Sequence, residues 1–492
     1  MKSDYMRPPI ATSALIVCLL LSPLPASAQV PSPTIEGPIT GPGSIFLQST
    51  TLDLSQVGYV AEEYFLSGTA SAYTKVGALG VDGLWTVAPA ATAPYKTRIV
   101  VHRPVPPTHF NGTVIVEWLN VSGGVDASPD WTLGHVELIR EGFAWVGVSA
   151  QYVGVEGGPG LVNLISLPLK TVNPARYGSL SHPGDSFSYD MFSQATQAIR
   201  HPVGPNPLGD LQMRKVIAAG ESQSAFRMVT YVNAIHPVAQ LFDGYLIHSR
   251  SGAFGAALSE APEPAIPVPG AVAIRADIDV PVLTFETETD LTFLAYYGAR
   301  QDDGPNFRLW EVAGTAHADS YLLGTGAADL GTSPSIVDIV APSSPLPGII
   351  DCAAPINSGP QHFVVNAAFA ALNRWVRTGR APDSAPRLEV NAGPPVAIAR
   401  DGNGNALGGI RTPQVEVPIA SFTGEQAGAI ICQLLGTTTV FSPAELAARY
   451  PSRDVFVWAY RQSLKRSVRA RWIVRRDARL MKQWLATSSI GN

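Results

Sequence analysis

Charge is scarce in this chain. Only 15% of its 492 residues are Asp, Glu, Lys or Arg, against 46% in the hydrophobic set. Burial of so much apolar surface offsets the entropy lost on folding, which excludes an intrinsically disordered polymer. Neither sign dominates: 34 basic and 39 acidic residues leave a formal net charge of −5. That balance lacks the concentrated positive field that a phosphate backbone demands, so nucleic acid is not an expected partner. The one basic cluster, residues 465–479, carries Trp472, Ile473 and Val474 at its centre and reads as a surface helix with one buried stripe.

Cysteine is nearly missing as well, with three in the whole chain. This excludes a disulfide-knit scaffold and, without clustered histidines, leaves no ligand set for a metal centre. No cofactor is expected. No apolar run reaches the roughly 20 residues needed to span a bilayer. The run 14–21 lies behind Lys2 and Arg7 and ahead of Pro23, Pro25 and Ala26-Ser27-Ala28, the form of a secretory signal cleaved after Ala28. Cys18 lies in that run behind Val17, where lipid attachment calls for a smaller residue. The mature chain is therefore expected to be secreted or periplasmic, without a transmembrane segment. In that oxidising compartment Cys352 and Cys432 are expected to form one disulfide rather than stay as buried thiols.

Pro and Gly are plentiful and punctuate the rest. After the signal segment, 1–28, they make residues 29–50 a flexible leader. In residues 51–381, strand-like apolar runs at 97–103, 113–119, 143–149, 215–219, 244–248, 280–285 and 307–312 alternate with helical periodicity at 131–141, 187–200, 225–235, 291–300 and 362–378. Alternation of this kind predicts an α/β fold, a mostly parallel central sheet flanked by helices. Three Gly/Pro-rich stretches, 154–185, 252–278 and 323–360, are expected to be lids or pocket walls. Residues 382–492 are expected to form a C-terminal extension packed on the main domain.

Chemistry concentrates at the strand end Lys215 to Ala219, which runs into Gly220-Glu221-Ser222-Gln223-Ser224 and then a helix. A serine at the apex of such a turn needs small residues two positions to either side, because strand and helix approach closely there. Gly220 fits fully; Ser224 is one size larger than the usual second glycine. A free hydroxyl is a poor nucleophile, so a neutral imidazole must take its proton and an acid must orient that imidazole. His317 follows a later strand in Gly314-Thr315-Ala316-His317. The segment Glu286-Thr287-Glu288-Thr289-Asp290 follows the strand before it. Asp290 is the preferred acid and Glu288 the alternative; Glu286 directly abuts the strand. Oxyanion donors are expected from the Gln223 N–H and from Asn120 or Val121, just beyond Trp118-Leu119. His248 would emerge at the same sheet edge, although a structural role suits it better, and Trp131 and Tyr152 either line the pocket or serve in packing.

Glu117-Trp118-Leu119-Asn120-Val121-Ser122-Gly123-Gly124 with Pro129-Asp130-Trp131 forms, with three other features, a recognisable set. These are His182-Pro183-Gly184-Asp185 with Tyr189-Asp190, the turn at Gly220 to Ser224, and the segments ending in Asp290 and His317. In these the chain resembles the α/β-hydrolase superfamily and, within it, a mostly bacterial alpha/beta hydrolase domain family. The resemblance implies an α/β-hydrolase fold and the nucleophile, acid and base roles for Ser222, Asp290 and His317, without choosing between Asp290 and Glu288. The resemblance supplies no substrate; from the residues, the expected function is an exported serine hydrolase of carboxylic ester, lactone or polyester bonds, acting on a small-molecule or oligomeric substrate. The alternatives are an acyltransferase or peptidase with the same residues, and a non-catalytic binding protein on a hydrolase scaffold.

Overall fold

Short runs such as Thr113-Val-Ile-Val-Glu-Trp118 lie fully buried, because strands covered by helices on both faces have no side left for water. The computed structural model describes residue 1, residues 30–162 and residues 164–490. The expected signal segment, with Cys18, falls outside the described residues.

Nine strands form one sheet: β1 (Thr34–Glu36), β2 (Tyr59–Lys75), β3 (Val87–Pro104), β4 (Thr113–Trp118), β5 (Ala144–Val148), β6 (Lys215–Glu221), β7 (Gly244–His248), β8 (Val282–Glu286) and β9 (Phe307–Glu311). Their order is β1-β2-β3-β5-β4-β6-β7-β8-β9. Pairing is parallel from β5 through β9 and antiparallel from β1 to β5. One face is covered by helices Ser188–Arg200 and Gln223–Thr230, through Phe192, Ile199, Met228 and Val229. The other is covered by Pro129–Arg140 and Gln361–Thr378, through Leu133, Leu138, Val364 and Leu372. The expected mostly parallel sheet between helices is thus present.

Several expectations need correction. The leader is laid on the domain rather than loose: β1 pairs with β2, and Val30 and Ile35 are buried. The hairpin of β2 and β3 is far longer than the single run expected at 97–103. Its polar sequence concealed it, and much of that polarity is consumed internally. Arg98 Nη1 lies 2.9 Å from Glu63 Oε1 and its Nη2 2.9 Å from Asp126 Oδ2, while Arg176 Nε lies 2.6 Å from Glu63 Oε2. The expected helix 291–300 instead starts earlier, as Glu288–Thr292, and stops where Ala295 turns left-handed at φ 56°. The basic cluster spans two helices, Arg453–Arg469 and Arg475–Thr487, joined through Arg471 at φ 62°.

The Arg98 cluster is buried at every member, so removing one charge strands the others in a low-dielectric interior. Arg98→Met, which roughly keeps the volume, is expected to cost about 3–5 kcal/mol, seen as a lowered urea midpoint. A loss below about 1 kcal/mol would show that the cluster is dispensable.

The C-terminal extension contributes a hairpin, Ala420–Thr423 with Thr437–Val440, and the helix Ile430–Leu435 between them. Cys352 and Cys432 form a disulfide with their α-carbons 5.6 Å apart, tying this helix to the 323–360 insertion. Among the described residues no helix is long and apolar enough to cross a membrane.

Candidate active site

Three loops at the carboxyl ends of β6, β8 and β9 converge on one point. At the first, Ser222 occupies the apex between β6 and helix Gln223–Thr230 with φ 59° and ψ −123°, a conformation L-residues avoid unless the surroundings impose it. The surroundings are tight: a β-carbon at Gly220 would meet Met228 Cγ and the Ser224 carbonyl oxygen, each at 2.9 Å. Ser224 itself is wholly buried, which is why a small residue suffices there. The Ser222 N–H donates to the His248 carbonyl at 2.9 Å, fixing the turn to β7. Ser222 is only 8% exposed.

At the third loop, His317 Nε2 lies 2.7 Å from Ser222 Oγ and Nδ1 lies 2.7 Å from Asp290 Oδ1. Asp290 is in turn held by Thr287, whose N–H and hydroxyl both donate to Oδ2 at 2.7 Å. This is one half of a capping box that opens helix Glu288–Thr292. Burial opposes the charge on both members of the pair, but their mutual attraction wins. Asp290 is held below the usual carboxylate range by His317 and Thr287, and His317 is raised above the ordinary imidazole value by Asp290 and Glu221.

Glu288 and Glu286 point elsewhere. Glu288 accepts from the Gly314 N–H at 2.6 Å and the Gly424 N–H at 3.1 Å, and pairs with Arg400 at 3.0 Å. Burial nevertheless pushes its carboxyl up. It ties the loop after β9 and the C-terminal extension together. Glu286 accepts from the Arg250 N–H, and burial raises its carboxyl well above the usual range.

Of the expected oxyanion residues, Gln223 begins the helix after Ser222, where N–H groups have no intrahelical acceptor. The Asn120 N–H is spent on the Ala127 carbonyl at 2.8 Å, whereas Val121, the next residue, lies outside any strand or helix. The loop is held from above by the 154–185 insertion: Val162, Ile165 and Leu167 donate to the carbonyls of Ser122, Gly123 and Gly124. Gly124 has φ 83°, and a β-carbon there would collide with the Ile165 carbonyl. Arg227 pins the same insertion and the 252–278 stretch to helix Gln223–Thr230, pairing with Asp185 at 3.3 Å and Glu260 at 2.6 Å.

His248 is wholly buried with Nδ1 2.8 Å from Asp130 Oδ1, behind the turn rather than in the opening. Trp131 is core, packed on Trp145 and His102, and Tyr152 is exposed. Sequence reasoning passed over Glu221, Thr287 and the distant partners Arg400 and Gly424. The Thr287-x-x-Asp290 spacing is a legible cap signature, but the others carry no local signal. Among the described residues no group of three or more His, Cys, Asp or Glu is placed to hold a metal ion.

A family profile described as "Alpha/beta hydrolase domain" matches residues 24–483. No curated protein matches the chain. Similar solved structures include an α/β serine hydrolase without lid from Xanthomonas campestris, at 12% identity, covering 49% of this chain and 84% of that one, with a TM-score of 0.27. A glucuronoyl esterase from Solibacter usitatus is similar at 11% identity over 52% of this chain and 76% of its own, with a TM-score of 0.26.

Proposed function

Since the chain belongs to the alpha/beta hydrolase domain family, we propose that it is a serine-dependent carboxylic ester hydrolase. The observation that carries this is the continuous row from Ser222 Oγ through His317 to Asp290, with 2.7 Å at each link. Ser222 Oγ attacks the ester carbonyl carbon while His317 Nε2 takes its proton, and Asp290 stabilises the resulting imidazolium. The carbonyl oxygen, now an oxyanion, is received by the N–H groups of Gln223 and Val121. Collapse expels the alcohol, which takes its proton from His317, and leaves an acyl group on Ser222. Water then repeats the sequence and frees the acid. The substrate is a small-molecule or oligomeric ester. A binding protein would have no need of a strained apex serine aligned with a histidine held by a buried aspartate, which favours catalysis. Export is part of the same proposal, supported by the signal-like N-terminus and by the disulfide.

The reading is tested by treating the purified protein with a fluorophosphonate and mapping the adduct by mass spectrometry. Labelling at Ser222 is expected; a folded protein that never labels there sinks the proposal.

A pH dependence follows from the raised His317. The base must be neutral to accept the serine proton, so activity is lost as pH falls through its pKa. The direction of the shift puts the acid limb of kcat/KM above the ordinary imidazole value of about 6.5. Steady-state rates across buffers check this, and a limb well below that value would contradict the pairing with Asp290.

A further inference from the structure

The carboxylate beside the nucleophile has no part in the steps above. Glu221 ends β6 one residue before Ser222 and is buried. Its Oε1 stands 3.6 Å from His317 Nε2, the nitrogen that receives the serine proton. Its Oε2 accepts a hydrogen bond from Asn120 Nδ2 at 3.2 Å, and the same Nδ2 donates to the Glu221 carbonyl at 3.1 Å. Asn120 is itself set by its Oδ1, which accepts from the Ser122 N–H at 2.7 Å. The carboxylate is therefore clamped, not wandering.

A buried carboxylate costs desolvation that an apolar residue of similar size would avoid, so its presence needs a charged partner. The groups facing it are His317 from the loop after β9, His248 from the end of β7, Asp130 from the start of helix Pro129–Arg140, and Asp290 from helix Glu288–Thr292. Asp130 is engaged by His248, and Asp290 meets His317 on the Nδ1 edge. Glu221 approaches the opposite, Nε2 edge.

We infer that Glu221 is a positioning residue, a second counter-ion on the Nε2 edge of His317 that steadies the ring and stabilises the imidazolium formed as Ser222 attacks. The inference rests on the nucleophile and base roles proposed above. Glu221 takes no proton in the cycle: the proton passes from Ser222 Oγ to His317 Nε2 and on to the leaving alkoxide. Its effect is electrostatic, and the fixed distance makes it insensitive to substrate. Burial pushes its own carboxyl up to about 7, with the two histidines pulling the other way, so below neutrality it loses the charge by which it acts. The acid limb then belongs to the coupled pair rather than to His317 alone.

The test is the pH profile of kcat/KM on p-nitrophenyl acetate for the wild type, Glu221→Gln and Glu221→Asp, with fluorophosphonate labelling of each. In Glu221→Gln the plateau is expected to fall about tenfold and the acid limb to move down by roughly one pH unit, since a neutral amide no longer holds a proton on the ring. Glu221→Asp keeps the charge, withdrawn by one methylene, and is expected to recover part of both. The inference is overturned if the glutamine variant keeps its limb and a plateau within twofold of wild type, or if aspartate restores nothing. Should the glutamine variant not fold, the aspartate variant decides against wild type: a partial downward shift supports the role, an unshifted limb removes it. Wild-type protein that never labels at Ser222 defeats the nucleophile assignment instead.

Discussion

Ser222→Ala removes ester hydrolysis, lowering kcat on the order of 10⁶-fold, the size seen when a nucleophile acting as part of a unit is lost. The fold survives. Only one hydroxyl leaves, the apex backbone is unchanged, and the stability change is expected to stay within about 1 kcal/mol. His317 keeps its bond to Asp290. Paired rate and urea-unfolding measurements separate the two effects, and the fluorophosphonate adduct should vanish with the rate. Residual turnover within a hundredfold of wild type would mean that another group does the attacking.

Asp290→Asn and Glu288→Gln are expected to fail in opposite ways. The first replaces a carboxylate at 2.7 Å from Nδ1 with an amide. The imidazole then loses its tautomer preference and its counter-charge, and kcat should drop about 10⁴-fold in a protein that still folds. Glu288 touches neither Ser222 nor the His317 ring; it joins Gly314, Gly424 and Arg400. Its glutamine variant leaves the half-buried Arg400 without its counter-charge and one buried N–H without an acceptor. We expect a stability loss of about 3 kcal/mol with the rate per folded molecule within tenfold. Thermal unfolding and active-site titration distinguish the pair. If Glu288→Gln kills the chemistry while Asp290→Asn spares it, the acid is Glu288.

The central strands were readable because each is buried on both faces and is therefore mostly apolar, as in β4 and β7 apart from Thr113, Glu117 and His248. The positions of Ser222, Asp290 and His317 after three such strands follow from that regularity. The paired hairpin was not readable, since Glu62, Glu63 and Arg98 look like solvent residues until their partners are known; Asp126 and Arg176 come from loops that composition describes only as irregular. For residues 34–36 the surrounding glycines and prolines masked a short strand. The distinction between Asp290 and Glu288 was hidden for a related reason. Two residues apart, they differ in facing direction, which depends on where the helix begins, and Thr287 sets that start. Glu221 sat inside the recognised motif as an unspecified letter, and its role depends on a histidine 96 positions away in the chain, whose neighbour-to-nucleophile link spans 95.

Arg400 and Gly424 grip Glu288 from 112 and 136 positions further along the chain, and the Ala318 N–H is held by Leu434. During synthesis Ser222 thus emerges long before the segment that packs against the loops after β8 and β9. A polypeptide that ends before Gly424 has Ser222, Asp290 and His317 but lacks the Gly424 N–H and the Leu434 carbonyl that hold the neighbouring loops. The loops after β8 and β9 gain these contacts only once the C-terminal segment has been made and has folded back onto them.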